Sequence, residues 1–273
     1  LTSSTVKLSA AGSPSPRLDA ELITGHALAL SRTELYVHHD RTLTAAELAA
    51  VEALVERRAA REPVAYILGR WGFRSLDLAV DSRVLIPRPE TEELVGLCLE
   101  LLEPVATPAV LDVGTGSGAI ALALATELAD ARVTACDLSA AALDVARANG
   151  EELGLEVEWV ESNLLGAFSG RRFDLIVSNP PYIAAAQLET LEPEVRTWEP
   201  RLATTPGGEG LELLRALAET TPRSIVAGGW LALECGDGQA AAVATALATA
   251  GFAEVGVRTD FADIQRFVIG QRQ

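Results

Sequence analysis

The chain has 273 residues, 49% of them hydrophobic, and a formal net charge of −16. That length holds a domain of about 190 residues beside a smaller one, and the acidity disfavours a partner gripped by its phosphates, because nucleic-acid affinity draws on Lys and Arg contacts. No apolar run reaches about 18 residues and no signal-peptide pattern is present, so the chain is expected to be soluble, off the membrane and not exported.

Residues 1–62 read as helical. Arg17 to Leu30 carries Leu18, Leu22, Ile23, Ala27 and Leu28 at helical spacing, and Thr44 to Arg61 follows a cap in which Thr44 and Glu47 form Thr-x-x-Glu. The chain begins at Leu1 and contains no Met, which leaves room for a natural start and part of a first helix outside the numbering. Trp71 to Ile86 alternates through Leu76, Leu78 and Val80, and with a turn at Asp81-Ser82 it reads as a hairpin.

Ala109 to Val113 is a short apolar strand, followed by Gly114, Thr115, Gly116, Ser117 and Gly118 and then by a helix over Ala119 to Glu127. Glycines at such a turn let a ligand approach the backbone, and the helix start offers unpaired N–H groups. Gly114, Gly116 and Ala119 equally fit the relaxed dinucleotide fingerprint, and ligand-free glycine turns exist. Arg132 to Cys136 is a second strand, ending at Asp137, where a carboxylate can accept bonds from ribose hydroxyls. Asp112 is the other acid at this place, and either acid also reads as a helix cap or a solvated charge.

Ala140 to Asn149 reads as a helix, Val157 to Val160 as a third strand and Phe173 to Ser178 as a fourth. Beyond them the long loop Ile183 to Gly208 reads either as a cover for substrate or as a solvated linker. A helix within Gly210 to Ala227, a strand at Trp230 to Glu234, a helix at Gln239 to Ala250 and strands at Ala253 to Arg258 and Arg266 to Ile269 complete the chain. The alternation implies an α/β fold with a mainly parallel, seven-stranded sheet. Cys98, Cys136 and Cys235 are widely spaced in apolar sequence, which fits reduced core residues in the cytoplasm. His26, His38 and His39 lie far from the glycine loop, so neither histidine catalysis nor a metal is expected.

Directly after the fourth strand stand Asn179, Pro180, Pro181 and Tyr182. An amide or ring-attached amino nitrogen is a poor nucleophile because its lone pair is delocalised, so an enzyme alkylating it must orient it with acceptors. The Asn179 side-chain oxygen can accept one N–H of such a group, and the Pro180 carbonyl, on a chain stiffened by two prolines, the other. Pro181 and the flat ring of Tyr182 would border the target, and no general base is required. A Pro-Pro turn that merely ends a strand is the alternative. Glycine loop, acid and Asn-Pro-Pro-Tyr, each after a successive strand, together point to S-adenosylmethionine rather than a nicotinamide dinucleotide, with donor and target meeting at the carboxyl rim of the sheet.

On these residues the chain resembles the bacterial release factor glutamine methyltransferases over nearly its whole length. The resemblance is carried by Pro16-Arg17-Leu18-Asp19-Ala20-Glu21, by Glu62-Pro63-Val64-Ala65-Tyr66-Ile67 with Gly69, and by Leu85-Ile86-Pro87-Arg88-Pro89-Glu90-Thr91-Glu92. The glycine loop, Ser178 to Ile183, Glu199-Pro200-Arg201-Leu202-Ala203, and Gly228-Gly229-Trp230 leading to Glu234 complete it. It implies a Rossmann-like class I methyltransferase with a small N-terminal helical, release-factor-binding domain (1–68), a β-hairpin linker (69–87) and a catalytic domain (88–273). The implied reaction is transfer of a methyl group from S-adenosylmethionine to the side-chain nitrogen of glutamine in the Gly-Gly-Gln loop of peptide chain release factors.

By the same resemblance Asp112, Gly114 to Gly118, Asp137, Asn163, Leu164 and Asn179 belong to the donor site, while Asn179, Pro180, Pro181 and Tyr182 hold the glutamine. Relatives often carry an acid and then an aromatic residue where this chain has Ser162-Asn163-Leu164, so Asn163 is expected to bond the adenine amine and Leu164 to cover the ring. Arg88, Glu90 and Glu92 match the family linker and also read as interdomain ion pairs. The competing targets are adenine N6 of DNA or RNA, which would need an unpaired base, and a ribosomal-protein glutamine. A binding protein without activity is the remaining alternative.

Overall fold

The computed structural model describes residues 1–273, which divide into two units: Leu1–Arg70 with Glu192–Trp198, and Trp71–Leu191 with Glu199–Gln273.

The first unit is helical: α1 (Thr2–Ala10), α2 (Pro16–Leu28), α3 (Arg32–Val37), α4 (Ala45–Ala59) and α5 (Val64–Leu68). Thr44 and Glu47 form the expected capping box, and Ser31 with Glu34 forms a second. α2 starts on Pro16 and ends at Leu28, two residues short of the expected Leu30, with Ala29 capping it at φ 52°. Leu8, Ala20, Ile23, Val51, Val55 and Ile67 make its core. The segment Glu192–Trp198 delivers Glu194 to two arginines of this unit: Arg58, almost wholly buried and also bound to Asp19 at 2.7 Å, and Arg61, at 2.5 Å.

A two-stranded sheet follows, β1 (Arg70–Phe73) and β2 (Leu76–Ala79), all of it but Arg70 in the second unit. Its tip is Arg74-Ser75, with Arg74 at φ 51°, and not the expected Asp81-Ser82. Asp81 lies beyond β2 and pairs instead with Arg83. A helix absent from the sequence reading follows, α6 (Pro89–Leu102), burying Leu94, Val95, Cys98 and Leu102 on one face.

Then come β3 (Ala109–Val113), α7 (Ala119–Glu127), β4 (Arg132–Asp137), α8 (Ala140–Leu153), β5 (Glu158–Glu161) and β6 (Phe173–Ser178). The expected loop Ile183 to Gly208 is not structureless: it holds a 3-10 turn (Ala185–Thr190), a π-helical turn (Glu194–Trp198) and α9 (Arg201–Thr204). The chain ends with α10 (Glu212–Thr220), β7 (Ile225–Glu234), α11 (Ala240–Thr249), β8 (Phe252–Thr259) and β9 (Gln265–Arg272). β7 starts five residues earlier than Trp230 and absorbs the glycines through a register shift opposite Phe173 and Leu175.

The seven strands lie in the order β5-β4-β3-β6-β7-β9-β8. The pairs β5–β4, β4–β3, β3–β6 and β6–β7 are parallel, and β9 runs antiparallel to both β7 and β8. Central strands such as β3 and β6 are mostly apolar, Asp112, Asp174 and Ser178 apart, because both faces are covered by helices. Strand order reverses between β3 and β6, which opens a crevice at their carboxyl ends. No helix is long and apolar enough to cross a membrane.

Candidate active site

The cavity at that crevice is lined by the ends of β3, β4 and β6, by residues on both sides of α6's start, and by Pro200, Leu202 and Ala203 at α9. Gly114 and Gly116 hold φ of 75° and 56°, and a Cβ on either would meet nothing within 4 Å, so the loop bares its backbone to the cavity. The loop is held from behind: the Cys136 carbonyl accepts from Gly114 N and Thr115 N at 2.8 and 3.0 Å. Thr115 and Ser117 line the same wall. Gly118 does not; it starts α7 at φ 85°, and a Cβ there would press on Leu122, Ala146 and Trp159, so its lack of a side chain serves packing.

Asp112, expected at the donor, lies behind the loop with no exposed surface. Its Oδ2 accepts from Thr115 Oγ1 at 2.6 Å and Ala121 N at 3.2 Å, while Oδ1 has no partner, and burial pushes its pKa up to about 7. It braces the loop and the helix start and cannot touch a ligand.

Asp137 does face the cavity. Oδ2 accepts from Gly116 N and Oδ1 from Ser139 N, each at 2.9 Å. A carboxylate has about four lone-pair sites, so acceptor capacity remains for a diol. Asn163 and Leu164 also line the cavity, with Leu164 at φ 49° and its carbonyl accepting from Ser162 Oγ.

Asn179, Pro180 and Pro181 form the facing wall. Ser178 Oγ donates to the Val113 carbonyl at 2.6 Å and locks the end of β6 to that of β3. The Asn179 side chain donates from Nδ2 to Thr91 Oγ1 at 2.9 Å, and Thr91 Oγ1 donates to Glu234 Oε2 at 2.8 Å. Glu234 is 1% exposed at the end of β7, and burial raises its pKa to about 7. Tyr182 is not on the cavity wall as expected. Its hydroxyl donates to Glu234 Oε1 at 3.3 Å, its carbonyl accepts from Gln239 Nε2, and burial raises the phenol pKa. Arg88 lines the cavity and holds both oxygens of the buried Glu199 at 2.7 and 2.6 Å, a pair inside the second unit rather than an interdomain one. Of its expected companions, Glu92 accepts from Arg74 Nη1 through its backbone carbonyl at 2.9 Å.

Thr91 and Glu234 stand in segments that carry the resemblance, with no role implied for either. Glu234 had a readable signal: like Asp137, it is an acid ending an apolar strand of the parallel sheet. Thr91 had none, because its importance comes from α6 lying beside β7 and from no periodicity of its own.

The donors and acceptors fit an adenosyl ligand. A bare glycine backbone, a carboxylate with spare lone pairs and an exposed amide at Asn163 surround one cavity, while no nearby basic pair is placed for a pyrophosphate beyond Arg83 and the engaged Arg88.

Residues 1–69 match the family described as PrmC N-terminal domain, and residues 95–195 the family described as Methyltransferase small domain. The chain is 47% identical over 265 residues to the release factor glutamine methyltransferase of Xylella fastidiosa (strain Temecula1), covering 97% of this chain and 96% of that one. It is 43% identical over 272 residues to the release factor glutamine methyltransferase of Deinococcus radiodurans, covering 100% and 97%. A methyltransferase from Pyrococcus furiosus superposes with a TM-score of 0.54 at 17% identity, over 81% of this chain and 97% of its own. That likeness is one of fold, and with the matching methyltransferase small domain it agrees with the Rossmann-like class I arrangement that the resemblance implies.

Proposed function

Because the chain belongs to the release factor glutamine methyltransferases, we propose that it methylates the side-chain nitrogen of glutamine in the Gly-Gly-Gln loop of peptide chain release factors, with S-adenosylmethionine as donor. The observation that carries this reading is the state of Asn179: its Nδ2 is committed to Thr91, so the oxygen is the end left for a target N–H. The donor, when held there, would supply a sulfonium methyl: the N–CH3 bond would form in line as the S–CH3 bond breaks, S-adenosylhomocysteine would leave, and the nitrogen would shed one proton to solvent.

Asn179 Oδ1 and the Pro180 carbonyl each accept one N–H of the glutamine amide, which fixes the nitrogen and supports positive charge as it forms there. Pro181 borders the target, and Tyr182 acts from behind the wall. The Gly114 to Ser117 backbone, Asp137, Asn163 and Leu164 hold the donor, with Asp137 on the ribose; Asp112 and Gly118 shape the loop. The helical region 1–68 is proposed to bind the release factor, 69–87 to link, and 88–273 to carry out transfer, in the cytoplasm and in the service of translation termination. A net charge of −16 disfavours a direct nucleic-acid substrate.

Labelled donor offered with release factor, with the same factor carrying Gln→Ala in its Gly-Gly-Gln loop, and with unmethylated DNA tests the proposal. Label on the unaltered factor alone is expected; label on DNA, or equally on both proteins, would overturn it.

A further inference from the structure

The Asn179 amide is nearly symmetric in shape, and nothing in its own chemistry decides whether oxygen or NH2 faces the cavity. The decision lies in the groups behind it: Thr91, at the edge of the cavity, and Glu234, off its wall. Resting on the reading above, we propose that Thr91 and Glu234 are positioning residues that hold the Asn179 amide with its oxygen toward the cavity.

A carboxylate only accepts, so the single hydrogen of the Thr91 hydroxyl is drawn to Glu234 Oε2 at 2.8 Å. Thr91 Oγ1 then has only lone pairs left for Asn179, and at 2.9 Å it must meet N–H and not C=O. The Asn179 oxygen is thereby directed away from Thr91, toward the wall that it forms with Pro180. Tyr182 donates to the other oxygen of Glu234, which keeps that carboxylate from turning toward another donor.

Both relay residues are buried, Thr91 at 5% and Glu234 at 1% exposure, so water does not compete for these bonds. Freed from Glu234, the Thr91 hydrogen can point at Asn179 Oδ1. The amide then turns over and presents two N–H groups to a target that itself offers N–H, and no bond forms.

Thr91→Val keeps the shape and removes the hydroxyl; Thr91→Ser keeps the hydroxyl. Single-turnover methylation of release factor is expected to slow about ten- to hundredfold in Thr91→Val, the scale of a misplaced reacting group, with donor affinity unchanged and Thr91→Ser close to the parent. In an Asn179→Ala background Thr91→Val is expected to add no further loss, because it acts only through Asn179. An additive loss would mean a merely structural Thr91.

A readout independent of activity is the pair of Asn179 side-chain amide NMR signals, assigned by their disappearance in Asn179→Ala. Protection from solvent exchange is expected in the parent and in Thr91→Ser, and its loss in Thr91→Val and, more weakly, in Glu234→Gln, whose amide can either donate or accept. Equal protection in the parent, Thr91→Val and Glu234→Gln sinks the relay. Should the parent label no release factor, the functional reading fails while the NMR comparison still decides the orientation.

Discussion

Asp137 and Asn179 divide the site between them, and the division can be measured. Asp137→Ala removes the acceptor facing the donor and also frees Gly116 N and Ser139 N. Loss of a charged hydrogen bond costs roughly 1.5–3 kcal/mol, so calorimetry should show donor affinity falling about ten- to a hundredfold. Asn179→Ala should leave that affinity intact and abolish most turnover.

Glu234 adds a pH signature. Its pKa is raised to about 7, chiefly by burial, with Tyr182, Arg266 and Glu90 the charged or titratable groups facing it. Turnover should therefore rise with pH through about 7 as the carboxylate ionises and takes up the Thr91 hydrogen. Stability runs the other way. A carboxyl whose folded pKa lies above its unfolded value favours the folded state at acid pH, and that contribution is lost as pH rises through the folded value. Asp112 and Glu234 both behave so. The melting temperature should decline from about pH 4 to about pH 7 and level off above, and Asp112→Asn should flatten that decline.

At the scale of elements, α8 organises more than its own length. Asn149 accepts from Ala79 N at 2.7 Å and donates to the carbonyls of Ala79 and Ser117 at 3.1 and 2.9 Å, tying β2 and the glycine loop to one helix. Replacing it with Ala leaves buried backbone groups unpaired at roughly 1–3 kcal/mol each. The urea midpoint should drop, and donor affinity should weaken although Asn149 lies outside the cavity wall. Beside it, Trp159 packs where a Cβ on Gly118 or Gly150 would stand at 3.2 and 3.1 Å, so the glycine of the loop and that of the helix share one steric cause.

The sheet was readable from the chain because its strands are apolar runs ending in loops or acids, and Asp137 and Asn179 followed from those ends. The hairpin tip was not: Asp81-Ser82 has turn composition, whereas Arg74-Ser75 is bent by pairing that sequence does not display. α6 was hidden behind Pro87-Arg88-Pro89, which reads as an extended stretch although Pro89 is its first residue. The inward turn of Tyr182 and the role of Thr91 depend on β7 and α6 meeting at the end of β6, a tertiary fact with no local period.

At the scale of the whole molecule, each unit has its own core, yet the first is not a continuous stretch of chain. Glu194 answers two arginines, Arg58 and Arg61, in a helical unit otherwise made from the first 70 residues. Glu194→Gln should lower the unfolding free energy by about 1.5–3 kcal/mol, the range for a lost bond to a charged group, read as a shift in the urea midpoint.

The same threading sets a timetable. Arg61 and Glu194 are separated by 133 residues, and at typical synthesis rates a ribosome takes roughly 7–27 s to travel that far. Residues 1–70 therefore emerge with Arg58 and Arg61 short of a carboxylate, and their unit is completed only once Glu194 has been made. Nascent chains arrested before Glu194 should be cut by protease within residues 1–70, and chains arrested well beyond it should resist. A unit that looks like an N-terminal domain is, in the order of its making, among the later parts to be finished.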